Sequence, residues 1–205
     1  HPQTLLAYAM NDGDLPVGFG GPLRLRVPRQ LGYKSVKFIN RLAVTDSLTG
    51  VYNRKKLDDI LTDQFARFRR SQRPFAVLML DLDNFKSIND NFGHAAGDSV
   101  LAHVAAILKQ SVRTVDYVAR YGGEEFVVVL VEMALDAALD VAERIRAEVE
   151  IPRISTSNKL ISVTVSLGVA HSRDSDSDHE EALARADRAL YQAKRAGRNQ
   201  VQFAK

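Results

Sequence analysis

The apolar run from Phe75 to Leu82 ends in Asp81-Leu82-Asp83. A buried strand does not normally end in two carboxylates unless something offsets their desolvation. Side chains two residues apart on a strand share a side. Two close carboxylates repel and raise each other's pKa unless a cation lies between them. A hard divalent ion such as Mg²⁺ suits oxygen ligands of this kind. The plainer alternative is a strand end that reaches solvent and carries Asp as an ordinary cap. On this feature alone both readings stand. A second acidic cluster follows at Gly122-Gly123-Glu124-Glu125-Phe126. Its glycines permit a tight turn and a close backbone approach by a bulky ligand. A hairpin with exposed Glu residues needs no function by itself. Together, acids at neighbouring ends of two paired strands describe a two-metal site for phosphoryl transfer.

Those residues need elements to hold them, and the hydrophobic pattern supplies these from Asp46 onward. Leu57, Ile60, Leu61, Phe65 and Phe68 recur at helical spacing, which predicts a helix over 56–71. The run 75–82 is short and continuous, as a buried strand is. Gly97 and Asp98 open a helix through Val100, Leu101, Val104, Leu108 and Val112. Segments 117–121 and 126–131 flank Gly122-Gly123 as a hairpin. A helix over 135–149 follows, then a strand over 161–165 from its strict alternation. A helix over 179–196 and a short strand over 201–203 complete the pattern. The loop 171–178 reads as solvated. Strand, helix, two strands, helix, strand is the ferredoxin-like, palm-type plan. The expected fold class is α+β, an α/β sandwich with a βαββαβ core and a mainly antiparallel sheet flanked by helices.

The first 45 residues have another texture. They hold four of the six prolines and five of the twelve glycines, so they read as turns with short strands at 23–27 and 36–39. The expected domains are therefore an irregular, β-rich segment over 1–45 and a regular domain over 46–205. The whole chain has 205 residues, 45% hydrophobic and 26% charged, which are globular values. It has no cysteine, which excludes disulfides, thiolate metal sites and thiol nucleophiles. The net charge of +3 is small and its basic residues are scattered. That does not by itself argue for nucleic acid, so no nucleic-acid partner is expected, and it is compatible with an anionic small ligand. Apolar stretches reach about ten residues, short of a membrane span, and no segment has the regions of a signal peptide. The first residue is His1, which reads as a fragment, a processed chain or an engineered piece.

Six ordered motifs carry a resemblance. They are Asp46-Ser-Leu-Thr-Gly-Val-Tyr-Asn-Arg54; Asp81-Leu-Asp-Asn-Phe-Lys86 with Asn89-Asp90; Phe92-Gly-His-Ala-Ala-Gly-Asp98; Arg120-Tyr-Gly-Gly-Glu-Glu-Phe126; Val165-Ser-Leu-Gly-Val169; and Ala186-Asp-Arg-Ala-Leu-Tyr-Gln-Ala-Lys194 with Gly197-Arg-Asn199. Over residues 46–203 the chain resembles the GGDEF-domain diguanylate cyclases, bacterial enzymes that condense two GTP into cyclic di-GMP and release pyrophosphate. The resemblance implies that Asp81, Glu124 and Glu125 are catalytic. It makes Asp81, Glu124 and the Leu82 carbonyl metal ligands, with Glu125 tied to the metal as well. It implies two Mg²⁺ (or Mn²⁺) per active site. Asn89 and Asp98 match the guanine readers, and a carboxylate can accept from guanine N1–H and its amine as adenine cannot reproduce. Phe85 and Lys86 match a loop that wraps the β- and γ-phosphates. Gly122 and Gly123 lie where the chain approaches the nucleotide. Lys194 and Arg198 match the cations that hold the triphosphate. Singly, Asn89 could be a turn residue, Asp98 a helix N-cap, and the two cations ordinary C-terminal charges.

The implied reaction is attack of a 3′-hydroxyl on an α-phosphate. One domain holds one GTP, so turnover requires a homodimer with two domains face to face. Arg113-Thr-Val-Asp116 matches the family's Arg-x-x-Asp product-inhibition site for cyclic di-GMP, and Arg144 matches its secondary arginine. The plain alternative there is a surface salt bridge, of little energetic weight. The rival function is a catalytically weak GTP- or cyclic di-GMP-binding regulatory module. A polymerase-like or adenylyl-cyclase-like palm would share the metal pair without the Asn89/Asp98 pattern. The implied location is bacterial cytoplasm, or the cytoplasmic part of a larger protein, in signal transduction. His1-Pro-Gln-Thr-Leu-Leu-Ala-Tyr-Ala-Met10, Leu15-Pro16, Gly21-Pro-Leu-Arg-Leu-Arg-Val-Pro28 and Gly32-Tyr-Lys-Ser-Val-Lys37 make residues 1–44 resemble a stretch of sulfite-oxidase-like molybdopterin domains. That family's metal-ligand cysteine is missing, so no molybdenum chemistry is expected. The segment reads as a fused remnant that folds back on the cyclase domain or supplies dimer contacts.

Overall fold

The structure is a computed structural model. It describes residues 5–7, 9–10, 13–14, 24–26, 44–150, 153–156 and 159–204. The chain divides into two units, 1–45 and 46–205. In the first, β1 (Leu5–Ala7) pairs antiparallel with β4 (Arg24–Arg26), and β2 (Ala9–Met10) with β3 (Gly13–Asp14). Strand β4 falls within the strand expected at 23–27, whereas the one expected at 36–39 lies outside the described residues.

The second unit begins with α1 (Arg54–Ser71), whose N-cap Asn53 side chain accepts from Lys56 N–H. Then come β5 (Ala76–Leu82), α2 (Phe85–Phe92), α3 (His94–Gln110), β6 (Tyr117–Gly122), β7 (Glu125–Leu130), α4 (Leu135–Glu150), β8 (Arg153–Thr156), β9 (Lys159–Ser162), β10 (Val165–His171), α5 (His179–Arg195) and β11 (Val201–Phe203). The main sheet runs β11-β10-β5-β7-β6. It is antiparallel except where β11 lies parallel to β10. Its strands β10-β5-β7-β6 therefore have the order of the ferredoxin-like plan expected from the sequence.

Strand β5 is buried on both sides, and its alternation separates two cores. Ala76, Leu78, Leu80 and Leu82 pack with residues of α2, α3 and α4. Val77 and Met79 pack with residues of α1 and α5. Helix α5 lies very close to β10, because a methyl on Gly168 would overlap the Ala186 carbonyl oxygen and the Leu190 nitrogen.

Three expectations are corrected. Segment 161–165 is not one strand: Ile161 and Ser162 end β9, which pairs only with β8, and Val165 opens β10. The break serves Asp83, whose N–H donates to the Thr164 carbonyl at 2.9 Å. The segment carrying Phe85 and Lys86 is the first turn of α2, not a loop. The next helix begins at His94 rather than Gly97. Among the described residues no helix is long and apolar enough to cross a membrane.

Candidate active site

Asp81 continues the Val77 and Met79 side of β5, so it faces the α5 side at the strand's end. Its partner across the antiparallel ladder is Glu125, which alternates with Val127 and Val129 on that same side. Two carboxylates thus stand side by side at the end of a buried sheet. Lys194, in the last turn of α5, places Nζ 2.7 Å from Asp81 Oδ2. Burial pushes the Asp81 carboxyl above the usual range; Lys194 pulls it back, and Glu124 and Asp83 push it further up. Burial also raises Glu125, with Asp81 adding to the rise and Lys194 opposing it. This cluster holds more negative charge than its one lysine neutralises.

A cleft of about 490 Å³ contains Phe85, Lys86, Asn89, Asp98, Gly123 and Glu124 among its walls. Six residues singled out in three separate motifs therefore meet in one place. Gly97 makes room for one of them: a methyl there would overlap Asn89 Oδ1 and press on the Phe85 ring. Asp98 sits one turn inside α3, whose N-cap is Gly93, so capping does not explain it. Phe85 and Lys86 supply first-turn N–H groups of a helix, donors with no carbonyl partner inside it.

The turn between the two faces is held by a pair that sequence reasoning did not assign. Arg120 donates from Nε and Nη2 to the Gly123 carbonyl at 2.9 and 2.7 Å, and from Nη1 to both Asp46 oxygens at 3.2 Å. Burial works to raise the Asp46 carboxyl, but hydrogen bonds from Thr49 and the Arg120 charge outweigh it and hold it low. Gly123 has φ +48°, a left-handed position suited to glycine, and Gly122 is open on its Cβ side. Both residues of the clamp lie inside quoted motifs, but nothing in the spacing pairs residue 46 with residue 120.

Asp83 differs from the sequence expectation. Its oxygens accept from Thr164 Oγ1 and Ser166 Oγ at 2.7 Å and from Asn199 N–H at 3.0 Å. That arrangement satisfies a buried carboxylate without a metal and anchors the Gly197-Arg198-Asn199 turn. Lys194 and Glu125 line a neighbouring cleft of about 740 Å³. Arg198 lines neither of these clefts. Among the described residues no three acidic or histidine side chains converge closely enough to make a ready cation cage. The donors still fit a hard divalent cation, since Asp81, Glu124, Glu125 and the Leu82 carbonyl offer only oxygen and the acids repel one another.

The family model for "Diguanylate cyclase, GGDEF domain" matches residues 43–200. The chain belongs to the GGDEF family. This GGDEF chain is 43% identical over 162 residues to the response regulator PleD of Caulobacter vibrioides, covering 78% of the chain and 36% of PleD. It is 41% identical over 162 residues to the diguanylate cyclase DgcP of Pseudomonas aeruginosa, covering 79% of the chain and 24% of DgcP. The chain thus spans about a third or less of the length of these curated relatives. The coiled coil and GGDEF domain of DgcB from Caulobacter crescentus, solved with c-di-GMP, matches with a TM-score of 0.79 and 33% identity, covering 82% of this chain and 90% of that one. A second model, the oxidoreductase molybdopterin binding domain, matches residues 1–52.

The GGDEF domain holds its Arg-x-x-Asp segment between α3 and β6. Arg113 donates to Asp116 Oδ2 from Nε at 3.0 Å and to Oδ1 from Nη2 at 2.9 Å. Asp116 also accepts from the N–H groups of Arg113 and Val131. Its side chain is fully buried while Arg113 is half exposed. Arg144 is brought nearby and donates to the Ser111 carbonyl at 2.7 Å.

Proposed function

We propose that the domain is a diguanylate cyclase that condenses two GTP into cyclic di-GMP and two pyrophosphates across a homodimer. The observation that carries this reading is the shared cleft: Asn89 and Asp98 open onto the same space as Gly123, Glu124 and the first turn of α2. The residues assigned to guanine and those assigned to phosphate thus border one cleft, which supports reading it as a nucleotide site. Asp98 accepts from the guanine N1–H and amine, and Asn89 completes the edge. The first-turn N–H groups of α2 hold the β- and γ-phosphates. Lys194 and Arg198 add positive charge at the triphosphate.

Asp81, Glu124, Glu125 and the Leu82 carbonyl would hold the divalent cations, Mg²⁺ or Mn²⁺, two to a site. Bound there, such ions neutralise phosphate charge and make a hydroxyl a better nucleophile. Lys194 lets go of Asp81 to reach the phosphates and leaves that carboxylate free to coordinate. The Arg120 clamp keeps the Gly-Gly turn in place as the nucleotide enters. The reaction needs a second GTP-loaded domain to present its 3′-hydroxyl to the α-phosphate, so the site is half of a two-fold assembly. Arg113, Asp116 and Arg144 form a separate inhibitory site for the product, with arginine suited to its phosphates and guanine edges.

Incubation with GTP and Mg²⁺, followed by chromatography, tests the reading. Cyclic di-GMP and pyrophosphate are expected from GTP, with no corresponding product from ATP. Absence of cyclic di-GMP at every protein concentration refutes it, and equal use of ATP refutes the roles of Asn89 and Asp98.

A further inference from the structure

Arg198 and Asn199 are consecutive residues with side chains and positive φ, +65° and +45°. Residues with a Cβ seldom adopt that region, and they hold it where the surroundings over-determine it. Here the surroundings are specific. Arg198 N–H donates to the Ala193 carbonyl at 3.1 Å. Asn199 N–H donates to Asp83. The Asn199 side chain is held from outside the turn: its Oδ1 accepts from Arg146 Nη1 at 2.8 Å, and its Nδ2 donates to Glu150 Oε1 at 3.0 Å. Arg146 is itself braced, donating to Glu150 Oε2 at 2.7 Å and to Glu143 Oε1 from Nε at 2.8 Å.

Isolated surface ion pairs contribute little stability. This set does something else, because it also grips the side chain of Asn199, the residue that follows Arg198 in the turn. We infer that Arg146 and Glu150 on α4 are positioning residues for Arg198, acting through Asn199. They fix the turn after α5 from the opposite helical layer and aim a phosphate-binding cation without touching the nucleotide. The inference rests on the reading of Arg198 as a triphosphate ligand.

The test uses the full chain and two guanine ligands, a non-hydrolysable GTP analogue and GMP, with affinities read by calorimetry in Mg²⁺. Arg146→Ala weakens the GTP analogue on the order of tenfold and leaves GMP unchanged, since the guanine cleft is elsewhere. Arg198→Ala gives the same selective loss, and the double variant loses no more than either single one. Asn199→Gly tolerates the positive φ and removes the ties to α4, so it reproduces the loss if Arg146→Ala folds poorly. Equal weakening of both ligands, or full additivity with Arg198→Ala, overturns the inference. If Arg198→Ala shows the selective loss while Arg146→Ala and Asn199→Gly do not, the inference alone falls. If Arg198→Ala leaves the analogue's affinity unchanged, the phosphate role of Arg198 falls and the inference falls with it.

Discussion

Asp81 and Glu125 are ladder partners at the end of a buried sheet, and their chemistry follows from that address. Replacing Asp81 by Asn removes a proposed cation ligand and leaves Lys194 without its partner. Turnover of GTP is expected to fall by about two orders of magnitude or more, and Mn²⁺ binding followed by calorimetry should weaken in parallel. Wild-type turnover in that variant would remove Asp81 from the site. Glu125 gives a pH prediction. Its carboxyl is raised in the fold, so its contribution to stability is present below the unfolded carboxylate value, about 4.3, and is lost as pH rises through the raised one. Glu125→Gln stays neutral throughout. It should therefore unfold at a higher denaturant midpoint than wild type at pH 7, with the gap closing below about pH 4. A gap independent of pH contradicts the burial argument. At this scale the sequence drew attention to the acids that the fold places at the sheet's end, because carboxylates after an apolar run demand an explanation. It did not separate Asp81 from Asp83, since the Thr164, Ser166 and Asn199 partners of Asp83 lie 81 or more positions away in the chain.

Among the elements, α5 decides where Lys194 lies, and Gly168 decides where α5 lies. A methyl at Gly168 meets backbone atoms of Ala186 and Leu190, which cannot rotate away as a side chain could. Gly168→Ala is expected to destabilise the domain by about 1–3 kcal/mol in urea unfolding and to raise the KM for GTP as Lys194 shifts. Unchanged stability would mean that the helix packs less tightly against β10 than described. Long amphipathic helices were legible because Leu57, Ile60, Leu61 and Phe68 repeat the 3.6 period over many turns. Helix α2 was not, because it has eight residues and buries only Phe85 and Ile88. The strand at 161–165 was misread because β10 is covered on both faces, so its alternation carries no signal, while the true alternation belongs to the small β8–β9 hairpin.

The whole domain joins the proposed active site and the proposed inhibitory site through one sheet. The Arg113–Asp116 segment lies at the far end of the β6–β7 hairpin from Gly123, since Tyr117 and Val129 pair at one end and Gly122 and Glu125 at the other. Arg113→Ala removes the half-exposed cation, and inhibition by added cyclic di-GMP should weaken at least about tenfold. Unchanged inhibition rejects the site. The GGDEF unit was legible across most of its length because its motifs are ordered and each meets another in space. Residues 1–52 carry the second family match, and with no cysteine in the chain they hold no thiolate for a metal. In the proposed reaction each domain supplies half of a two-GTP assembly. Product chromatography with GTP and Mg²⁺ over a series of protein concentrations tests it most directly. Cyclic di-GMP is expected at a rate per chain that rises with concentration and levels off once dimers dominate. A rate per chain that is constant through the range where the protein is monomeric would contradict it, as would the absence of cyclic di-GMP throughout.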